Sequence, residues 1–185
     1  MLRLLRTWFL GLAVLLALIA AGLWIAGQRE NAGRHAGSIG IAAPAAQIFP
    51  RLLQPERLRQ WQEGLESVTP LDDLGQQPGA RTRLRVVLDG RATEFDLTLR
   101  ELSPPQRVVF DSHAEGDVAF DYVMVYELTE SDGQTQLSVV CDGEFHGALM
   151  RLLEPLIAVA SNGKLASDLE QLKQLVEAEG AQAAQ

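Results

Sequence analysis

The sequence predicts an α+β protein in which a curved antiparallel sheet is wrapped on a long C-terminal helix, preceded by one transmembrane helix. Three patterns support this fold class: an uncharged apolar run near the N-terminus, alternating apolar and polar residues in the middle, and a long amphipathic segment near the C-terminus. These patterns are typical of a membrane span, of half-buried strands and of a helix that covers a sheet. We therefore expect one folded domain beside one apolar anchor.

The N-terminal run has the length and composition of a membrane span. No charged residue lies between Arg6 and Arg29, and Trp8–Gly27 is apolar throughout. As a helix this stretch would extend about 30 Å, which matches the hydrocarbon core of a bilayer. We therefore predict a transmembrane helix over residues 7–27 that contacts the lipid bilayer. A cleaved secretory signal is the alternative, but its apolar region is shorter, and bulky Trp24 interrupts the small-residue end.

The flanks of this run predict a location and a domain organisation. Arg3 and Arg6 make the N-terminal flank slightly the more positive one, so we expect it to stay in the cytoplasm. The C-terminal domain would then be periplasmic, on a bacterial inner membrane. We assign residues 28–37 to a linker, 38–179 to the folded domain and 180–185 to a disordered tail. A membrane-protein partner is a further possibility for such a domain.

Composition excludes several function classes. The chain has 24 acidic against 16 basic residues and a net charge of −8, which argues against non-specific nucleic-acid binding. A single cysteine, Cys141, rules out an internal disulfide and a cysteine-cluster metal site, and its position inside an apolar strand predicts a small buried side chain. The three histidines lack metal-type spacing, and no phosphate loop or Ser-His-Asp pattern occurs. We therefore predict no metal, no cofactor and no catalytic residue.

The order of elements in the domain follows from turn residues and periodicity. A short strand at Ser38–Ile41 precedes two short helices, the first from Pro44 to Leu53 and the second over Pro55–Trp61. An antiparallel meander of about five strands comes next, extending to Phe145. A long helix follows over Gly147–Ala178.

The hairpin in the meander has a predictable register. Asp89-Gly90 separates two alternating segments, which is typical of a two-residue hairpin turn. With that turn, Arg85 faces Glu94 and Arg83 faces Asp96 on one face of the hairpin. On the other face Leu84 meets Phe95, and Thr82 meets Leu97. We therefore expect one face to be charge-paired and solvated, and the other to be covered.

The C-terminal helix has two apolar stripes. The first consists of Leu149, Leu152, Leu153, Leu156, Ile157 and Ala160. The second, at three-and-four spacing, consists of Leu165, Leu169, Leu172 and Val176. Only this helix is long enough to cover the apolar face of the sheet.

Five motifs occur in this order along the domain: Ile39–Phe49, Pro55–Trp61, Gly79–Arg83, Leu102–Phe110 and Leu165–Lys173. Together they resemble the SRPBCC or START-like helix-grip superfamily, including its polyketide cyclase/dehydrase-like branch, over roughly residues 38–178. The resemblance implies a helix-grip fold and a domain that binds lipids, sterols or other hydrophobic molecules. It transfers no catalytic residue, because the superfamily shares no catalytic motif.

We therefore expect a membrane-anchored carrier, sensor or chaperone that holds a small hydrophobic or lipidic ligand between sheet and helix. The predicted ligand-binding residues are Leu84, Phe95, Leu97, Tyr122, Tyr126, Ala160 and Leu165. Small residues in the first part of the helix, including Ala160, place the predicted opening there. Two alternatives stay open. One is a cyclase- or hydrolase-like enzyme of the same fold that uses Tyr122, Asp111 or His113, and the other is an assembly factor that docks on a membrane complex.

Two histidine–carboxylate pairs are candidates for acid–base chemistry. Asp111 and His113 share a strand face, and Glu144 and His146 immediately precede the long helix. The simpler interpretation is that each pair is exposed at the end of a strand, and we favour it for both.

Overall fold

The structure, a computed structural model, describes residues 2–27, 33–88, 90–116 and 118–183. Its helices are α1 (Leu2–Gly27), α2 (Ala45–Ile48), a 3₁₀ helix (Phe49–Leu52), α3 (Pro55–Trp61) and α4 (Ala148–Ala183). Its strands are β1 (His35–Ile41), β2 (Leu65–Pro70), β3 (Arg81–Leu88), β4 (Arg91–Ser103), β5 (Arg107–Ala114), β6 (Phe120–Ser131) and β7 (Gln134–Phe145).

The seven strands form one antiparallel sheet in the order β1-β7-β6-β5-β4-β3-β2. Strands β2 to β7 form a meander of six strands rather than about five, since each of them pairs with the next one in the chain. The first strand, β1, pairs with the last, β7, and so becomes one edge of the sheet. The predicted α+β class, with an antiparallel sheet and a long C-terminal helix, is confirmed.

The C-terminal half of α4 covers the sheet with the predicted second stripe. Leu169, Leu172 and Val176 are at most 2% exposed and belong to the same core cluster as Ile41 of β1 and Leu137 of β7. Burying an aliphatic side chain of this size stabilises a fold by about 1.5–3 kcal/mol. This stripe is therefore a main attachment of the helix to the sheet.

The N-terminal half of α4 turns a different face to the domain from the one predicted. Leu149, Leu156 and Ala160 of the first stripe are exposed, whereas Glu154 and Ala158 are buried. The buried positions continue at three-and-four spacing into the C-terminal half, so the helix keeps one buried face along its length. That face contains polar residues, and its apolar periodicity is therefore weaker than that of the exposed stripe.

Side chains of α4 also complete the edge of the sheet. The backbone N–H of Ala36 donates to Asn162 Oδ1 at 3.0 Å, and the backbone N–H of Ala42 donates to Glu177 Oε1 at 2.9 Å. An unpaired edge strand would otherwise leave these donors without a partner. Gly37, between them, lies under Leu165 and Leu169, where an added Cβ would be 3.1–3.3 Å from their side chains. The missing side chain lets α4 approach β1 closely.

The hairpin between β3 and β4 has the predicted register. Arg83 faces Asp96, Arg85 faces Glu94 and Leu84 faces Phe95. Arg83 Nε donates to Asp96 Oδ1 at 2.7 Å, and Arg85 Nη1 donates to Glu94 Oε1 at 3.0 Å, both on the exposed face. The prediction of one charge-paired and one covered face is confirmed.

We expect Gly90→Val to destabilise the domain by about 1–3 kcal/mol, because a β-branched residue resists the left-handed conformation. Gly90 has a φ of 74° in the hairpin turn, whereas its neighbour Asp89 lies outside the described residues. Urea denaturation measures the loss. Arg83→Ala is the control, and its loss should be smaller since exposed ion pairs contribute little. A larger loss for the arginine variant would contradict the assignment of its face to solvent.

The N-terminal helix α1 occupies the predicted apolar run, and its described side chains are exposed. Considering only the residues that the structure describes in full, no helix is both long and apolar enough to cross a membrane. The structure therefore does not support the predicted transmembrane span over residues 7–27.

The ends of the folded region differ from the predicted boundaries. Strand β1 begins at His35, inside the segment assigned to the linker, and the first half of that linker, residues 28–32, lies outside the described residues. Helix α4 continues to Ala183, through part of the predicted disordered tail. Alanine and glutamine are good helix formers, so this tail extends a helix that is already anchored upstream.

Candidate functional site

Alternate residues of the central strands point to one covered face of the sheet. In β6 these are Phe120, Tyr122, Met124 and Tyr126, of which the two tyrosines are predicted binding residues. Since side chains alternate along a strand, Asp121 and its alternating neighbours point to the outer face. The covered face is not fully packed, and two cavities lie against it.

The larger cavity, here called the α4 cavity, lies between the sheet and α4 and has a volume of about 370 Å³. Helix α4 contributes Ser161, Lys164, Leu165 and Asp168 to its wall. Large apolar side chains from the sheet and α3 make up much of the rest, among them Trp61, Phe95, Phe120, Met124 and Phe145. A cavity of this size and composition is typical of small-molecule sites.

The smaller cavity, here called the loop cavity, has a volume of about 310 Å³. It lies between the sheet, the 3₁₀ helix, α3 and the loop that joins β2 to β3. Its wall is mostly apolar and includes Leu52, Pro55, Leu58, Val68, Leu84 and Leu97. The two cavities share Gln62, Phe95, Met124 and Tyr126, so they lie side by side on the same face.

Aromatic rings form a continuous wall in the α4 cavity. The Phe120 ring lies 5.8 Å from Phe95, 5.5 Å from Tyr122 and 5.7 Å from Phe145, measured between ring centroids, and its contacts with the last two are edge-on. Such edge-on packing holds aromatic rings in fixed orientations. The wall is therefore a preformed apolar surface on which the body of a hydrophobic molecule can lie.

Buried polar groups adjoin this wall near β1. A Cβ on Gly33 would lie 2.4 Å from Glu154 Oε1, 2.7 Å from the backbone carbonyl oxygen of Gly143 and 2.8 Å from the Tyr122 hydroxyl, so a side chain at this position would force these groups apart. Glu154 Oε1 also accepts a hydrogen bond from the backbone N–H of Phe145 at 3.3 Å. His35 Nδ1 lies 3.2 Å from the Gly33 carbonyl oxygen, a geometry in which Nδ1–H donates.

Burial controls the protonation of the titratable groups in the wall. It raises the pKa of Tyr122, with a further contribution from the charge of Glu154, and it raises the pKa of Tyr126. It raises the pKa of the Cys141 thiol to about 12 and lowers the pKa of His35. At neutral pH these groups are therefore uncharged, and Cys141 is not an activated nucleophile. The prediction of a buried, inert Cys141 agrees with its 3% exposure.

One ion pair belongs to the wall of the α4 cavity. Lys164 Nζ lies 2.5 Å from Asp168 Oδ2, and Asp168 Oδ1 accepts a hydrogen bond from the backbone N–H of Glu63 at 2.9 Å. The Asp168 side chain is 9% exposed, whereas that of Lys164 is 27% exposed. The carboxylate is therefore fully partnered inside the wall, and the ammonium group reaches towards solvent.

The predicted ligand-binding residues divide between the two cavities, with one exception. Leu84 and Leu97 line the loop cavity, Tyr122 and Leu165 line the α4 cavity, and Phe95 and Tyr126 line both. Ala160 is exposed and lines neither cavity, because the buried face of α4 passes through Ser161. The α4 residues of the wall lie in the first two-thirds of the helix, where small residues placed the predicted opening, but Ala160 itself is not among them.

The two histidine–carboxylate candidates lie on the outer face, and their partners differ from the predicted ones. Asp111 pairs with Arg100 rather than with His113. His113 Nδ1 lies 2.6 Å from Asp121 Oδ1, and His146 Nε2 lies 2.7 Å from Asp121 Oδ2. Glu144 instead pairs with Arg151, whose Nη2 is 2.9 Å from its Oε2. These exposed pairs lie on the opposite side of the sheet from the cavities, as the simpler interpretation predicts.

We expect Asp121→Asn to lower the pKa of His113 and to flatten the pH dependence of stability near neutral pH. A hydrogen bond to Asp121 raises the pKa of His113 above 6.5, so its stabilising contribution is complete below that value and disappears as pH rises through the folded-state pKa. NMR titration of the imidazole and urea denaturation at several pH values measure both effects. Asp142→Asn, an exposed outer-face acid on β7, is the control. An unchanged His113 pKa in Asp121→Asn would contradict the assigned partner.

Sequence reasoning missed several residues of the cavity walls. Trp61, Phe120, Met124 and Lys164 were not among the predicted binding residues. The inward alternation of β6 contained the signal for Phe120 and Met124. No sequence pattern indicates that Trp61 and Lys164 line the cavity, because their positions depend on how α3 and α4 pack on the sheet. Within the described ranges, no group of three or more His, Cys, Asp or Glu residues is placed to hold a metal ion.

Comparison with known proteins agrees with this geometry. Residues 34–177 match the protein family described as "Polyketide cyclase / dehydrase and lipid transport". A protein of Thermus thermophilus is similar in structure, with a TM-score of 0.66 and 20% identity, over 79% of this chain and 98% of that one. A START superfamily protein from Mycobacterium smegmatis is similar with a TM-score of 0.64 and 18% identity, over 77% and 98% of the chains. Among curated proteins no sequence matches significantly. The predicted resemblance to the polyketide cyclase/dehydrase-like branch is thus confirmed, and the solved structures share the predicted fold.

Proposed function

Since the chain belongs to the polyketide cyclase/dehydrase and lipid transport family, we propose that it binds and carries a small hydrophobic or lipidic ligand. The ligand lies in the α4 cavity, between the sheet and the C-terminal helix. The observation that carries this proposal is the cavity of about 370 Å³ with its wall of packed aromatic rings. An apolar molecule that enters this cavity leaves water, which is the main source of affinity in such sites.

The protonation of the wall favours binding over catalysis. The phenols of Tyr122 and Tyr126 and the thiol of Cys141 are protonated at neutral pH, and burial moves their pKa values further above it. Asp111 and His113, two of the residues considered for an enzyme, lie on the outer face of the sheet. In the described part of the α4 cavity, the remaining carboxylate, Asp168, is held in an ion pair. A carrier requires an apolar cavity without activated groups, and this arrangement meets that requirement.

The proposal includes attachment to a membrane through the N-terminal run. It is supported by the sequence of Trp8–Gly27, which contains no charged residue, and by the exposure of the described α1 side chains. Salt and alkaline carbonate washes of membranes test it: the full chain should stay in the pellet, whereas release by carbonate would overturn attachment. The periplasmic location and the membrane-protein partner stay predictions from the sequence.

Tryptophan fluorescence tests ligand binding directly. The chain has three tryptophans, of which Trp61 lines the α4 cavity and is 2% exposed. The full-length chain with Trp8→Phe and Trp24→Phe therefore has a single reporter in the cavity. Brominated long-chain lipids quench a tryptophan that they contact, so their entry should reduce its emission. The protein is kept in an amphipathic polymer, because detergent monomers compete for apolar cavities.

Two controls separate entry from surface contact. Unbrominated lipid should compete and restore the emission, and bromoacetate, which is small and polar, should not quench the buried indole. Saturable quenching that unbrominated lipid reverses supports the proposed function. Absence of quenching by any brominated lipid, fatty acid, alcohol or sterol would overturn it.

A further inference from the structure

We infer that the ligand of the α4 cavity has an anionic headgroup, which Arg91 and Lys164 bind at the opening of the cavity. The inference deepens the proposed function and rests on it. Both side chains line the α4 cavity, Arg91 from the first position of β4 and Lys164 from α4. They approach the opening from opposite elements, the sheet and the covering helix.

The charges around the two cavities differ. The described wall of the α4 cavity contains two cations, Arg91 and Lys164, against one carboxylate, Asp168. The loop cavity has one of each, Arg81 and Asp72, whose Nε and Oδ2 atoms are 3.7 Å apart. The whole chain has a net charge of −8, so the positive charge at the cavity opening is opposite in sign to that of the chain as a whole. Such a local excess of positive charge favours an anionic group.

Lys164 is available to a ligand in spite of its ion pair. The ammonium group has three donors, of which Asp168 uses one. Asp168 itself receives a second hydrogen bond, from the backbone N–H of Glu63 at 2.9 Å, which fixes the carboxylate in the wall. The pair therefore positions the ammonium group, and the partly exposed Nζ keeps donors for an oxygen that enters from the cavity.

Arg91 supplies the second cation, and no acid in the described part of the chain is paired with it. Its side chain is exposed beside the hairpin turn. A guanidinium group matches the planar, two-oxygen geometry of a carboxylate or phosphate. Together with the apolar rings of Phe95 and Phe120, the wall is complementary to an amphiphile with an apolar body and an anionic head.

The Trp61 quenching assay distinguishes headgroups on a common chain. The probes are brominated palmitate, the matching alcohol and amine, and a brominated lysophosphatidic acid. We expect both anions to bind about tenfold more tightly than the alcohol, the difference expected for charge-assisted hydrogen bonds. The order of palmitate and lysophosphatidic acid shows whether a carboxylate or a phosphate is the better headgroup. The amine should bind more weakly than the alcohol, because like charges repel at the opening.

Three variants test the two cations, and they should change the affinity for the anion in different directions. Arg91→Gln should weaken palmitate binding, whereas Asp168→Asn should strengthen it by removing the negative charge beside Lys164 while keeping an oxygen for the Glu63 N–H. Adding Lys164→Gln to Asp168→Asn should remove that gain. Alcohol binding should stay constant throughout. Arg59→Gln is the matched control, since Arg59 is exposed on α3 and lines neither cavity.

The outcomes separate the inference from the proposed function. Equal binding of acid and alcohol, or an Arg91→Gln effect no larger than that of Arg59→Gln, would overturn the headgroup assignment and leave the apolar cavity intact. Preference for the amine would assign the site to Asp168 instead and overturn it as well. Failure of every probe to quench Trp61 would overturn the ligand-binding function itself.

Discussion

Gly143→Ala should destabilise the domain by about 3 kcal/mol or more, near the upper end of the range for single substitutions. Gly143 of β7 faces Tyr122 of β6 in the ladder. An added Cβ would be 1.9 Å from the Asp121 carbonyl oxygen and 2.6 Å from the Tyr122 Cα. Both are backbone atoms, so no side-chain rotation relieves the clash, and two paired strands must move apart. Urea denaturation, followed by circular dichroism, measures the change in the free energy of unfolding.

Gly163→Ala is the matched control for this prediction. Gly163 lies on the exposed side of α4, and no atom lies within 4 Å of the position of its added Cβ. Alanine is preferred to glycine inside a helix, so this variant should gain up to about 1 kcal/mol. The same substitution thus has opposite signs in the strand and in the helix. A Gly143→Ala variant as stable as the parent would mean that β6 and β7 do not approach as closely as described.

The close approach at Gly143 also sets the position of the site. Tyr122 lies directly opposite on β6 and forms part of the aromatic wall, with its ring centroid 5.6 Å from that of Phe145. Any shift of β6 away from β7 moves this ring and the hydroxyl beside Gly33. We therefore expect the Gly143 variant to lose ligand binding together with stability.

The hairpin and the helix show how far the sequence determines the fold. At the hairpin, Asp89-Gly90 and the alternating charges were sufficient to predict the register of the two strands. Both partners of each cross-strand pair lie within one short segment of the sequence. In α4 the apolar stripe with Leu149 and Leu156 was misleading, since those residues face outwards while Glu154 is buried. The buried carboxylate of Glu154 accepts a hydrogen bond from a backbone donor outside the helix, the N–H of Phe145 at the end of β7. No periodicity rule identifies such a partner.

The strand residues of the candidate site were more predictable from the sequence than its helix and loop residues. Alternation within β3, β4 and β6 placed Leu84, Phe95 and Tyr122 on the covered face, because the period of a strand is fixed by its backbone. The loop cavity was not predicted, since the loop over residues 71–80 lacks any periodic pattern. Ala160 lies out of helical phase with the cavity for the reason given for Glu154: in the N-terminal half of α4 polar residues occupy part of the buried face, so the first apolar stripe does not mark the inside.

The structure places Ser161 in the wall of the α4 cavity and Ala160 outside it, and this difference can be tested by substitution. We expect Ser161→Trp to weaken ligand binding by about tenfold or more, equivalent to about 1.4 kcal/mol of binding free energy. Ser161 is half-buried and lines the cavity, so an indole at this position extends into space that the ligand needs. Because that space is empty, the melting temperature should change little. In a packed core the same change would cost about 1–3 kcal/mol.

Ala160→Trp, one position earlier, is the matched control. Ala160 is exposed and lines neither cavity, so its indole should stay in solvent and leave both binding and melting unchanged. Both variants are compared in the Trp8→Phe/Trp24→Phe full-length chain by displacement of a fluorescent fatty acid, since the new indoles would interfere with the Trp61 signal. If Ala160→Trp blocks binding and Ser161→Trp does not, the assigned face of α4 is wrong. If neither variant affects binding, the ligand lies outside the α4 cavity, and the adjoining loop cavity becomes the site to test, because a residue on α4 cannot fill a space whose wall α4 does not form.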